Sequence, residues 1–261
     1  MTSIAGGTLA AASAGAGEAS GQTTTATPEH YVWRQYLLRN GTGPKRLADY
    51  LQNAAIPALN RLGHSPVGAF EVIAGVPGPT VFLLVPLPTL ASLGEIEAKM
   101  RADQDYLRAA APYLDATAAD PVYVREETSL LAAFPKFPTL AVPAATASKG
   151  PRVFELRTYE SPTEKAHLAK VKMFSELGEI EIFKRVGLNP VFFSRTMIGP
   201  RMPSLVYMLV YDDMAGREKS WTAFRNDPEW KKLSAMPGFT DPEIVSNITA
   251  IYLRPAAYSQ I

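Results

Sequence analysis

The sequence predicts an α+β protein in which two tandem β-α-β-β-α-β units are fused into one closed barrel. Three observations carry that prediction. A repeat runs through the chain at a near-constant offset, each copy shows the same series of strand and helix patterns, and a single copy would leave one apolar sheet face uncovered. Arg61, Gly63, Pro66, Val67 and Gly75 recur as Arg185, Gly187, Pro190, Val191 and Gly199, an offset of 124 throughout. The same offset pairs Arg101 with Arg225, Asp103 with Asp227 and Tyr106 with Trp230. Upstream, an offset of 123 aligns Tyr31, Arg34 and Tyr36 with Phe154, Arg157 and Tyr159, so one residue is gained or lost in the helix between.

The elements follow in order. Residues 31–38 and 153–159 place β-formers and aromatics at alternating positions, the mark of a strand. A helix comes next. In the second copy Ser161 is placed to cap it, Pro162 to open it and Glu164 to complete a capping box. One stripe then recurs through Ala166, Ala169, Met173, Leu177, Ile180 and Phe183. The first copy opens at Pro44, buries Leu47, Leu51, Ile56 and Leu59, and kinks or breaks at Pro57. Both helices end at a glycine, Gly63 and Gly187, as a left-handed cap requires. Hairpins are expected from 67–74 with 80–85 and from 191–198 with 204–211, turning through Gly/Pro segments. Helices over 90–100 and 214–224 precede short helical segments capped by Asp103 and Asp227, and 121–131 and 243–253 close each unit as strands. The organisation is therefore a leader at 1–27, a first repeat at 28–134, a Pro/Ala/Ser-rich linker at 135–150 and a second repeat at 151–261. Each unit has helices on one sheet face, and packing the two bare faces together buries them.

Composition narrows the chemistry. The chain has no cysteine, which excludes disulfides, thiolate metal sites and cysteine nucleophiles. Lys plus Arg numbers 26 against 25 Asp plus Glu, without a basic run that would track a phosphate backbone, so nucleic acid is not expected as a partner. The apolar stretch 81–87 is far shorter than the roughly 20 residues of a membrane span. Residues 1–27 are almost entirely Ala, Gly, Ser and Thr. Residues 4–12 read as a weak apolar h-region followed by small-residue cleavage patterns, but the basic n-region is missing. A signal remnant implies export to the periplasm or exterior, and a disordered leader implies the cytoplasm. Upstream genomic sequence with no arginine-bearing extension would remove the export reading.

The second copy resembles the NIPSNAP family, a branch of the dimeric α/β-barrel superfamily with ferredoxin-like units. The residues that carry the likeness are Phe154, Glu155, Leu156, Arg157, Thr158 and Tyr159 on the first strand, residues 206–211 on the third, and Asp227, Pro228, Glu229 and Trp230. The first copy keeps Arg34, Tyr36, Asp103 and Tyr106 of this set and looks like a diverged repeat. The resemblance implies the fold foremost. Members of the superfamily include cofactor-free monooxygenases, haem-using enzymes, isomerases and proteins of no known reaction.

Two function classes follow. The first is a protein that binds a small apolar or anionic ligand between sheet and helices. In each repeat an arginine precedes a tyrosine by two residues on the same strand face, so Arg34 with Tyr36 and Arg157 with Tyr159 offer a guanidinium and a phenol to an anion or carbonyl. The plainer alternative pairs the arginine with a helix carboxylate such as Glu179 or Glu181. The second class is a cofactor-independent monooxygenase or isomerase-like enzyme in which Tyr159 and the loop histidine His64 act as catalytic groups. His64 has Leu188 at the matching position, an asymmetry that a single site or plain drift would produce. His30 and His167 are isolated, no HxH or HExxH spacing occurs, and no cofactor or metal is expected. Trp221, Phe224 and Trp230 fall at helical spacing and read as core. Association into homo-oligomers through open strand edges is a further expectation.

Overall fold

The computed structural model describes residues 1–2 and 27–261 of the chain; the h-region and cleavage-like motifs of the leader lie outside the described residues. The first repeat runs β1 (His30–Leu38), α1 (Gly43–Tyr50), a π-helical turn (Leu51–Ala55), α2 (Ile56–Arg61), β2 (Gly68–Ala74), β3 (Thr80–Leu87), α3 (Ser92–Ala102), α4 (Gln104–Leu114) and β4 (Tyr123–Ala133). The second runs β5 (Val153–Glu160), α5 (Glu164–Ser175), α6 (Glu179–Arg185), β6 (Asn189–Ile198), β7 (Ser204–Tyr211), α7 (Met214–Asn226), α8 (Pro228–Ser234), α9 (Asp241–Ile244) and β8 (Asn247–Pro255).

Every strand pairing is antiparallel, and the order β1-β3-β2-β8-β5-β7-β6-β4 closes into a barrel. Each repeat supplies four neighbouring strands, and the ring is sealed where β2 meets β8 and β4 meets β6. The expected fused barrel is thus present. Gly75, at φ 112°, shows how tight the seal is: an added Cβ would lie 2.6 Å from the carbonyl oxygen of Ala250 on β8.

The two-residue period of a strand sorts the side chains of β1 and β5 between two environments. Tyr31 and Trp33, like Phe154 and Leu156, point into the barrel, where Trp33 stacks on Phe82 at 4.9 Å between centroids. Val32, Arg34 and Tyr36, like Glu155, Arg157 and Tyr159, face outward under the helices. The helix-facing layer therefore forms two separate cores, one per repeat.

Local signals held in most places and failed in a few. Asp103 and Asp227 cap α4 and α8, each accepting two backbone N–H bonds. Gly63 and Gly187 end α2 and α6 in left-handed conformation, at φ 85° and 80°. The helix expected as one stripe through residues 166–183 is instead two, because Gly178 takes φ 93° between α5 and α6. In the first repeat the break comes at the corresponding place. There the π-helical turn widens the backbone ahead of Pro57, which sits in the first turn of α2 where its missing N–H is tolerated. The cap of α5 is Thr163, whose hydroxyl accepts from the Ala166 N–H at 3.1 Å, and not Ser161. A capping box forms elsewhere, where the Glu243 carboxylate accepts from both the backbone N–H and the hydroxyl of Thr240. For the same reason β8 begins at Asn247 and not near 243: Pro242 and this cap turn the chain through α9 first.

Candidate ligand-binding site

The two repeats can be superposed residue by residue around their outward arginines, and strand register fixes the equivalence. Arg34 lies opposite Leu83, which lies opposite Ala69. Arg157 lies opposite Tyr207, which lies opposite Phe193. The repeat offset adds Leu59 with Phe183, Glu97 with Trp221 and Met100 with Phe224. At each of these five pairs the second repeat carries the larger ring. Its space between sheet and helices is accordingly packed solid: Phe183, Phe193 and Tyr207 are wholly buried, their ring centroids 5.4 to 5.9 Å apart.

In the first repeat the smaller side chains leave a cavity of about 610 Å³. Its inner wall is Val32, Leu83 and Val85 of the sheet, with Tyr36 and Met100, all buried. Its rim carries the exposed Leu93 and Leu114 together with Glu97, Arg101 and Glu126. Helix α3 covers this space while burying a single residue, Met100, whereas α7 buries Trp221 and Phe224 at the matching place. The volume lies within the usual range for small-molecule sites, roughly 300–1,000 Å³, and the mix of apolar wall and few polar groups is typical of them.

The arginines differ as sharply as the volumes. Arg157 donates to Glu155 Oε1 at 2.8 Å and to the Tyr159 hydroxyl at 3.2 Å. Glu155 is fully buried and also accepts two bonds from Arg217, one from Trp221 Nε1 at 2.8 Å and one from Tyr211. Burial pushes its carboxyl up, but the bonds from Arg217, the charge of Arg157 and the indole N–H outweigh that and hold it below the ordinary range. The carboxylate partner expected on a helix, Glu179 or Glu181, is therefore supplied by the strand itself. Glu179 instead faces Lys170, both almost fully buried, with Nζ 3.6 Å from Oε2. Burial raises the Glu179 carboxyl to about 7.

Val32 occupies the place of Glu155 in the first repeat, so Arg34 has no buried counter-ion. Its Nε instead meets Glu126 of β4 at 3.1 Å and the Thr128 hydroxyl at 3.1 Å, with about a third of both charged side chains open to solvent. Nη1 is 3.5 Å from the Tyr36 hydroxyl, and Nη2 has no hydrogen-bond partner among the described residues. Burial pushes the Tyr36 phenol up to about 12, with Arg34 opposing, so it stays protonated and offers its proton. Across the cavity the Tyr50 and Tyr106 hydroxyls are 3.1 Å apart, and Tyr50 stacks on Tyr113 at 3.7 Å.

Of the residues singled out from sequence, Arg34 and Tyr36 line this cavity. Arg157 and Tyr159 lie in the filled repeat, where Tyr207 also donates to the Tyr159 hydroxyl at 3.0 Å. His64 is not among the lining residues: it is 4% exposed, and its Nδ1 is 2.9 Å from the Pro86 carbonyl, a buried structural contact and not a loop at a pocket mouth. Glu126 and Glu155 were not singled out as ligands of the arginines, although the repeat alignment places Val32 on Glu155 in plain sight. Among the described residues no group of three or more His, Asp or Glu side chains is placed to hold a metal ion, and no helix is long and apolar enough to cross a membrane.

Residues 154–260 match the NIPSNAP family. The second repeat is a NIPSNAP domain. Its fit to that family goes with the filled interior, whereas the cavity belongs to the repeat outside the matched span. No curated protein matches the chain. Among solved structures, a candidate monooxygenase from Lactobacillus acidophilus NCFM is 9% identical, with 87% of this chain and 94% of that one covered at a TM-score of 0.57. A second candidate monooxygenase, from Fusobacterium nucleatum, is 9% identical over 88% of this chain and 93% of its own, at a TM-score of 0.52. An uncharacterized NIPSNAP-like domain protein from Burkholderia xenovorans is 20% identical, covering 41% of this chain and 88% of its own at a TM-score of 0.37. At such identities the two full-length likenesses establish the barrel and nothing of its chemistry.

Proposed function

We propose that this protein binds one small, largely apolar molecule with an oxygen-bearing end in the cavity of its first repeat, while the second repeat serves as the rigid half of the barrel. The observation that carries the reading is the paired exchange of side chains between repeats. Five large residues of the filled repeat are replaced by smaller ones, and the buried Glu155 by Val32, so that volume and a partly unengaged guanidinium appear together. Loss of packing alone would open a void; the loss of the buried acid as well leaves the Arg34 guanidinium, beside the Tyr36 hydroxyl, with donor capacity facing it. Burying an apolar tail against Val32, Leu83, Val85 and Met100 supplies affinity at about 25 cal/mol per Å². The tyrosine and arginine donors orient the polar end.

The enzymatic alternative, a cofactor-independent monooxygenase or isomerase, draws support from the two candidate monooxygenases that share the barrel. It needs a proton acceptor at the ligand, however; His64 and Tyr159 both lie outside the cavity, and the lining carboxylates Glu126 and Glu97 are each held by an arginine. Binding is therefore the reading favoured.

Native mass spectrometry of the purified protein with 2-decanone tests it. One bound equivalent is expected for the wild type and none for Leu83→Tyr, which gives the first repeat the ring of the second. Undiminished binding by Leu83→Tyr would place the ligand elsewhere.

A further inference from the structure

Resting on the binding reading above, we infer that Glu126 sets the charge class of the ligand: the cavity takes a neutral compound with a carbonyl or ether oxygen, such as a ketone or ester, and rejects the corresponding carboxylate.

The polar groups that face the cavity are matched in charge before any ligand arrives. Arg34 is paired with Glu126 at 3.1 Å. Arg101 and Glu97, the other two charged lining residues, pair with each other along one face of α3. The lining thus holds two cations and two anions. What remains unsatisfied is donor capacity: Nη2 of Arg34, the proton of Tyr36, and whichever hydroxyl proton the Tyr50 and Tyr106 pair does not use between them. Such a lining completes its hydrogen bonds with an acceptor that brings no charge.

A carboxylate would share the Arg34 guanidinium with Glu126. The repulsion from Glu126 offsets the attraction to Arg34, so stripping water from the carboxylate goes uncompensated, and a neutral acceptor of the same length binds more tightly. The second repeat shows the contrast: there the acid sits on the strand at Glu155, buried and accepting five donor bonds, and both Nη atoms of its arginine are engaged, one by Glu155 and one by Tyr159. In the first repeat the acid has moved to the rim, where it neutralises Arg34 without filling the cavity. Ile248 stands at the corresponding position of the second repeat, opposite Tyr159 as Glu126 is opposite Tyr36, so the exchange is reciprocal.

The test compares 2-decanone with decanoate at pH 8 and low salt, by calorimetric titration of the full chain. The wild type is expected to prefer the ketone by at least about tenfold, and Glu126→Gln to bring the two within about threefold or reverse the order. Equal or tighter binding of decanoate by the wild type overturns the inference while leaving the binding reading intact. So does an unchanged ratio in a folded Glu126→Gln. If neither probe binds the wild type, the binding reading falls and this one with it. The wild-type ratio decides the matter even if the variant fails to fold.

Discussion

The two repeats share a backbone and an Arg-x-Tyr strand, yet they spend the space behind it in opposite ways. The second repeat buries five charge-assisted bonds around Glu155 and fills the rest with aromatic rings. The first keeps the arginine, drops the buried acid and leaves about 610 Å³ open. Duplication within one chain makes this division of labour available. Once two units are covalently joined and closed through β2–β8 and β4–β6, one can hold the barrel rigid while the other loses packing without losing the fold.

The sharpest way to break this contrast is through the acids. Glu155→Val, which copies the first repeat into the second, leaves Arg157 and Arg217 without their buried counter-ion and is expected to cost about 3–5 kcal/mol in urea unfolding. Glu126→Gln removes a pair about a third open to solvent and is expected to cost less than about 1 kcal/mol. Similar losses at the two positions would show that the repeats are energetically alike. Next come the rings. Tyr207→Leu should open a void and cost about 2–4 kcal/mol, whereas Leu83→Tyr fills existing space and should cost less than about 1 kcal/mol. A large loss in Leu83→Tyr would mean that the cavity closes in solution.

The buried Lys170 and Glu179 sharpen the contrast through pH, since the first repeat has no such pair. Folded Glu179 holds its proton up to about 7, while an unfolded glutamate releases it near 4.3. Between those values the folded state binds the extra proton, so stability is full in acid and falls as pH rises toward 8, by about 3–4 kcal/mol at most. Glu179→Gln should flatten that profile, measured by urea midpoints from pH 5 to 8; a wild-type profile already flat would remove Glu179 as a buried acid. The smallest effect is a shared one. Asp227→Ala and Asp103→Ala each remove a helix cap and should lower the melting temperature by about 2–4 °C, similarly in both repeats.

Much of this architecture was legible because it rests on local rules. Strand alternation, the capping aspartates and the terminal glycines act over a few residues, and the repeat offset tied them into a barrel. Helix breaks were read unevenly, since Pro57 announces itself while Gly178 sits inside an otherwise unbroken apolar stripe. The cavity was half legible. Arg34 and Tyr36, which line it, stand out by their spacing, but the spacing is the same at Arg157 and Tyr159, so it does not say which copy is open. That information lies in pairs far apart in sequence, such as Ala69 beside Leu83 against Phe193 beside Tyr207, and in the substitution of Val32 for Glu155. His64 misled for a related reason: a histidine after a helix-capping glycine reads as exposed, and only tertiary packing brings Pro86 over it.

One crystallographic experiment bears directly on the claim that the first repeat is the binding half. Crystals grown with 10-bromo-2-decanone should show a single anomalous bromine peak per chain, between the β1–β3 face and α3, near Leu83 and Met100. A peak beneath α5 and α7 in the second repeat, or equal peaks in both halves, would contradict it.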